Sequence, residues 1–142
     1  MKNLSFPGLP RILVVDDEEG VREGLRSLLQ AEGLHVETAV SAEDGVRRLT
    51  GRGFDIVFLD LHLPGADGLS MLGNMRRGTP PADVVVLTGY GTIANTVEAM
   101  RKGAADVIEK PFTHDRILAV VRRVLETRQL KSELCWLQDR VR

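Results

Sequence analysis

Asp55-Ile56-Val57-Phe58-Leu59-Asp60-Leu61-His62-Leu63-Pro64 is the stretch on which the fold turns. Ile56 to Leu59 is an unbroken apolar run, of the length and kind expected of a strand buried on both faces. The run stops at a carboxylate, Asp60, and Pro64-Gly65 cannot continue a strand. An apolar rod therefore aims one carboxylate at the carboxyl end of a sheet, the edge where open α/β sheets bind ligands. One strand-end Asp alone is ordinarily a solvated residue. Its meaning depends on what else in the chain converges on it.

Four more segments read as strands. Arg11-Ile12-Leu13-Val14-Val15-Asp16-Asp17 is a second apolar run ending in carboxylates. His35 to Val40 alternates weakly and predicts a strand. Asp83-Val84-Val85-Val86-Leu87-Thr88 ends in a hydroxyl, and Ala105 to Ile108 runs into Lys110-Pro111. Between them lie helical patterns. Val21, Leu25, Leu28 and Leu29 recur at helical spacing before a stop at Gly33. Ser41 is a good N-cap, with Asp44 three residues on, for a helix that turns Val46 and Leu49 inward. Leu69, Leu72 and Met75 mark a helix interrupted by Gly68 and Gly73. Thr92 caps one with Ile93, Val97 and Met100 on a common face, closed by Gly103. From Thr113 to the chain end the pattern is helical without Gly or Pro.

Five strand–helix alternations predict a parallel sheet with right-handed crossovers and helices on both faces. The expected fold is α/β, a flavodoxin-like doubly wound sheet of order 2-1-3-4-5, with an extended C-terminal helix. In that order the first and third strands are neighbours at the topological switch point. Asp16, Asp17 and Asp60 then meet there, and Thr88 and Lys110 end the next two strands on the same edge.

Composition narrows the function. The chain has 142 residues, enough for one domain with a real core. Nineteen basic against 20 acidic side chains give no basic excess, so direct nucleic-acid binding is not expected. Cys135 is the single cysteine, which excludes a disulfide framework or a thiolate metal site and fits a cytoplasmic setting. No apolar run reaches membrane-spanning length. Residues 1–9, with Pro7, read as a loose leader rather than a signal peptide. There is no Gly-Lys-Ser/Thr phosphate loop, so no ATP site is expected.

Three carboxylates on one edge repel, and a cation relieves them. With oxygen ligands only, Mg²⁺ is the natural ion. A carboxylate can also accept a phosphoryl group, a transfer that chiefly needs positioning and charge stabilisation. This reading makes Asp60 the nucleophile and Asp16 and Asp17 metal ligands, with the Lys110 ammonium and Thr88 hydroxyl beside the phosphate.

The set Val-Val-Asp16-Asp17-Glu, Phe-Leu-Asp60-Leu-His-Leu-Pro, Val-Leu-Thr88-Gly and Glu-Lys110-Pro-Phe resembles a bacterial two-component response-regulator receiver domain. Thr88-Gly-Tyr-Gly-Thr-Ile, Glu98-Ala-Met and Gly103-Ala are similar to receivers of sigma-54-dependent transcriptional activators of the nitrogen-regulation class. The resemblance implies phosphotransfer from a sensor histidine kinase to Asp60 with Mg²⁺. It implies that Asp17 and Asp60 bind the metal directly, Asp16 through water, and His62 through its main-chain carbonyl. It also implies that His62 and Tyr90 flank the path of a hydrolysing water. Receivers usually carry an aromatic ring where this chain has Val107, so a ring-based switch is not expected here.

The runner-up function is a Mg²⁺-dependent phosphatase or phosphotransferase on a small substrate, but loops this short leave no room for a substrate cap. A flavin carrier is disfavoured by the acidic edge. The expected organisation is a receiver over 10–126 and a helical dimerisation extension over 127–142. In the extension, Leu130, Leu134, Leu137 and Val141 form a heptad-type stripe, with Val120 and Thr127 in phase. That stripe, with the fourth and fifth strand–helix units, is the expected homodimer contact. ATPase and DNA-binding domains are expected outside these residues.

Overall fold

Each apolar run becomes a strand in the computed structural model, which describes residues 9–51, 53–63, 68–75, 81–89 and 92–141. The strands are β1 (Arg11–Val15), β2 (His35–Ala39), β3 (Ile56–Asp60), β4 (Asp83–Thr88) and β5 (Asp106–Glu109). They alternate with α1 (Glu19–Ala31), α2 (Ala42–Gly51), α3 (Gly68–Met75), α4 (Ile93–Arg101) and α5 (His114–Val141). The sheet is parallel, in the order β2-β1-β3-β4-β5. The doubly wound α/β reading therefore holds. Among the described residues no helix is long and apolar enough to cross a membrane.

Period-two alternation along the central strands divides the core into two layers. Ile12, Val14, Ile56, Phe58, Val85 and Leu87 face α1 and α5, meeting Leu25 and Leu29 on one and Ile117, Val121 and Val124 on the other. Leu13, Val15, Val57, Leu59, Val84 and Val86 face the opposite way, onto Leu72 of α3 and Ala99 of α4. Both faces are covered, which is why the runs are continuous rather than alternating in polarity. Phe58 is fully buried. Truncating it to alanine is expected to cost about 3–5 kcal/mol.

Local signals place the helix ends. The Ser41 hydroxyl accepts from the Asp44 N–H (3.1 Å), Thr92 from Asn95 (3.1 Å) and Thr113 from Arg116 (3.1 Å). Gly33 and Gly103 adopt left-handed φ values of 83° and 101° just beyond α1 and α4, where a side chain would be strained.

Two helices depart from the simplest reading. In α4 the small Ala99 faces the sheet, while Ile93, Val97 and Met100 point outward at 85%, 49% and 46% exposure. In α5, Val120 belongs to the core and not to the distal stripe: it is 1% exposed, packed with Val121 and Val124. Thr127 turns its hydroxyl to the Arg123 carbonyl of its own helix at 2.9 Å. The exposed seam therefore starts at Leu130 and continues through Leu134 and Leu137. The heptad register extrapolates across the point where the sheet stops, and burial there overrides it. Pro64, Gly65, Tyr90 and the side chain of Val141, all singled out in the sequence, lie outside the described residues.

Candidate functional site

Register brings the first acidic groups together. Val15 pairs with Leu59, so the residues that follow them, Asp16 and Asp60, leave the sheet side by side. Leu87 pairs with Asp60 and Thr88 with Glu109, which puts Thr88 and Lys110 on the same edge. The Lys110 N–H donates to the Thr88 carbonyl at 2.7 Å, fixing the start of the β5–α5 connection, where the Lys110–Pro111 peptide is cis.

The Lys110 ammonium sits at the centre. Its Nζ donates to Asp16 Oδ2 at 2.8 Å, lies 3.4 Å from Glu18 Oε1 and is 3.6 Å from Asp60 Oδ2. Asp16, Asp60 and Thr88 are buried, at 0%, 4% and 1% exposure. Asp17 and Glu18 are exposed. The second oxygen contacts are local: His62 N–H donates to Asp60 Oδ1 at 3.0 Å, and Glu18 N–H to Asp16 Oδ1 at 2.9 Å. His62 thus touches the site through its main chain while its side chain stands exposed. Arg22 of α1 donates to the Asp16 carbonyl at 2.9 Å and braces the loop from behind.

Burial raises the Asp16 carboxyl above the ordinary carboxylate value, against hydrogen bonds from Lys110 and Glu18 that lower it, with Asp60 adding repulsion. Burial also weakens the Lys110 ammonium, but the Asp16 hydrogen bond and the charges of Asp16, Asp60 and Glu18 outweigh it and raise its pKa overall. The two ends of the pair do not gain equally. Lys110 draws on three carboxylates, whereas buried Asp16 has one ammonium that it must share.

Among the described residues, Asp16, Asp17 and Glu18 offer carboxylate oxygens within 4.8 Å of one another. This donor set is all oxygen and anionic, which suits a hard divalent cation. Asp60 is not in that trio; it stands across Lys110 from Asp16. Glu18 and Arg22 are the residues that reasoning from sequence passed over. Glu18 was legible as the third acid of the run. Arg22 had no signal, because its partner is a main-chain carbonyl.

The arrangement is a buried carboxylate at a strand end, a charged lysine beside it, and further acids able to hold a cation. Known proteins resemble the chain along most of its length. The chain is 38% identical over 125 residues to the nitrogen assimilation regulatory protein NtrX of Azorhizobium caulinodans, covering 87% of this chain and 28% of that one. It is 39% identical over 132 residues to the alginate biosynthesis transcriptional regulatory protein AlgB of Pseudomonas aeruginosa, covering 93% and 29%. Crystalline NtrX from Brucella abortus superposes with a TM-score of 0.84 at 40% identity, over 92% of this chain and 30% of that one. The chain thus spans under a third of the length of these relatives. Residues 12–122 match the response regulator receiver domain throughout, and the chain belongs to that family.

Proposed function

We propose that this domain is the phosphoacceptor switch of a two-component system, with Asp60 taking a phosphoryl group from a sensor histidine kinase. The observation that carries this is the Lys110 ammonium held between Asp16 and Asp60, at 2.8 and 3.6 Å. A carboxylate 4% exposed at a strand end, with a cation beside it, is prepared for a group bringing further negative charge. An Asp60 carboxylate oxygen forms a bond to phosphorus as the bond from phosphorus to the donor's leaving group breaks. Lys110 offers a point charge to the phosphoryl oxygens, and Thr88 a hydroxyl hydrogen bond.

Asp16, Asp17, Asp60 and the His62 carbonyl would hold Mg²⁺, with Glu18 within reach of the same donors. Bound there, Mg²⁺ supplies charge neutralisation for the incoming phosphoryl oxygens. The chain's own residues do the rest. Arg22 and the Glu18 N–H orient Asp16, and the His62 N–H orients Asp60. The domain turns over no other substrate; it takes part only in its own phosphorylation and dephosphorylation. In the test, the chain is incubated with a small phosphodonor and Mg²⁺ and the adduct is mapped by mass spectrometry. One alkali-labile phosphoryl group on Asp60 is expected. A stable adduct, or one on another residue, refutes the assignment.

The output is a change in pairing between copies in the cytoplasm, over a receiver (10–126) and a linker helix (127–142). Two exposed apolar stripes support this: Ile93, Val97 and Met100 on α4, and Leu130, Leu134 and Leu137 on α5 at 60%, 57% and 52% exposure. The α5 stripe has heptad spacing and no partner within the domain among the described residues. Regulation of transcription follows by analogy with AlgB, through domains outside this chain. Truncation after Glu126 should shift the protein toward monomer in sedimentation, as should Leu134→Asp without loss of Asp60 labelling. A full chain that stays monomeric at micromolar concentration, phosphorylated or not, rules out this dimer.

A further inference from the structure

We propose that Arg128 is a positioning residue for the output helix, a clasp that fixes the direction in which α5 leaves the sheet. The apolar hold on α5 ends early. Ile117, Val120, Val121, Val124 and Leu125 are buried, and among the described residues of α5 none beyond Leu125 is. One turn further on, Arg128 takes up a polar anchorage. Its Nη1 donates to the Pro81 carbonyl at 2.9 Å and to Asp83 Oδ2 at 2.9 Å, and its Nη2 lies 3.5 Å from Asp55 Oδ1. Its side chain is 18% exposed.

The seat for this guanidinium is held firmly. Asp55 Oδ2 accepts the Arg11 N–H at 2.8 Å, so one carboxylate bridges the start of β1 and the clasp. The Asp55 N–H donates to the Arg11 carbonyl (2.8 Å) and the Asp83 N–H to the Asp55 carbonyl (2.9 Å). Asp55 and Asp83 are therefore set by the sheet, and the planar fork of an arginine meets acceptors already in place. Lysine, a single point charge, could not bridge all of them. An ordinary surface ion pair contributes little. This one differs in that its arginine is mostly covered, in spanning two strands and in including a main-chain acceptor.

The leverage lies in the helix. From Arg128 to Leu137 the axis runs about 14 Å, so a small pivot at the clasp displaces the leucine stripe by a large fraction of a side chain. β3 and β4, whose starts seat Arg128, end in Asp60 and Thr88. The clasp thus ties the output helix to the same two strands that carry the site. Its bearing on pairing rests on the dimer reading above; the clasp itself does not.

The test is hydrogen exchange of the full chain, at a concentration where it sediments as a monomer. Arg128→Gln should speed exchange in α5 from residue 124 onward, on the order of tenfold, with β3, β4 and Asp60 labelling unaffected. Arg128→Lys should fall between. Asp83→Asn should reproduce part of the effect, and the double variant should add nothing to Arg128→Gln. Unchanged exchange in Arg128→Gln overturns the clasp. So does equal acceleration throughout the sheet, which marks a general stabiliser, and so does strict additivity of the two substitutions. If exchange responds as expected but the wild-type chain never dimerises, the clasp stands and the dimer reading alone falls.

Discussion

Arg11, Arg48 and Arg128 meet Glu37, Asp55 and Asp83 in one part of the molecule, while at the carboxyl edge Asp16, Asp17, Glu18 and Asp60 share Lys110. The first set is matched in charge. Arg11 pairs with Glu37 at 2.7 Å and stacks over the Phe54 ring at 5.1 Å; Arg48 joins Glu37 at 3.3 Å, and Arg128 joins Asp83 at 2.9 Å. The second set is acidic, and its two most central carboxylates are also the most buried. Matched pairs hold elements in place and gain nothing from a ligand. An unbalanced, buried cluster is stabilised by any cation that enters, and its lysine is drawn to any anion that replaces a carboxylate. The difference separates a matched set that holds elements together from the acidic edge to which the proposed chemistry is assigned.

The hardest blow to this contrast comes from Asp60→Asn. It keeps the shape and the His62 N–H contact but removes the proposed nucleophile, so labelling by a small phosphodonor should vanish. Substantial labelling of that variant would place the acceptor elsewhere. Next in size, Asp17→Asn removes a proposed anionic ligand and should weaken Mg²⁺ binding on the order of tenfold or more. Unaltered affinity in a titration would show that the ion is held by other groups. The smallest effect belongs to the matched set. Glu37→Gln should cost about 0.5–1 kcal/mol in urea unfolding and leave labelling and Mg²⁺ affinity as they were. A change in either of those would mean that the two ends are not separate.

The exposed face of α4 shows where periodicity runs out as an argument. Ile93, Val97 and Met100 share a face, as their spacing says, yet that face looks outward and Ala99 packs on the sheet. Spacing identifies which residues lie together on a helix and is silent on what covers them. Val120 makes the same point in reverse. It is in phase with Leu130, Leu134 and Leu137, but it sits where α5 still crosses the sheet and is buried there. Val107 is half-buried in the layer beneath α4, where the resemblance leads one to expect a ring.

The sequence by itself determined the central strands and the residues that end them, because a strand buried on both faces must be apolar along its length and the first polar residue marks its end. The strand order followed from the strand–helix alternation and the known doubly wound arrangement. Asp16, Asp60 and Thr88 were legible from their strand ends alone, and Lys110 as the cation just past Glu109, the polar end of the fifth strand. The helix starts were legible too, since the hydroxyls of Ser41, Thr92 and Thr113 act within one turn. Only the tertiary structure decided which groups share a charge. Lys110 and Asp16 are 94 residues apart and Arg128 and Asp83 are 45 apart, brought together by crossovers that no local pattern encodes. Local structure is set by the chain's nearest neighbours. Pairing of distant charges is set by the register of strands, and only the folded sheet fixes that.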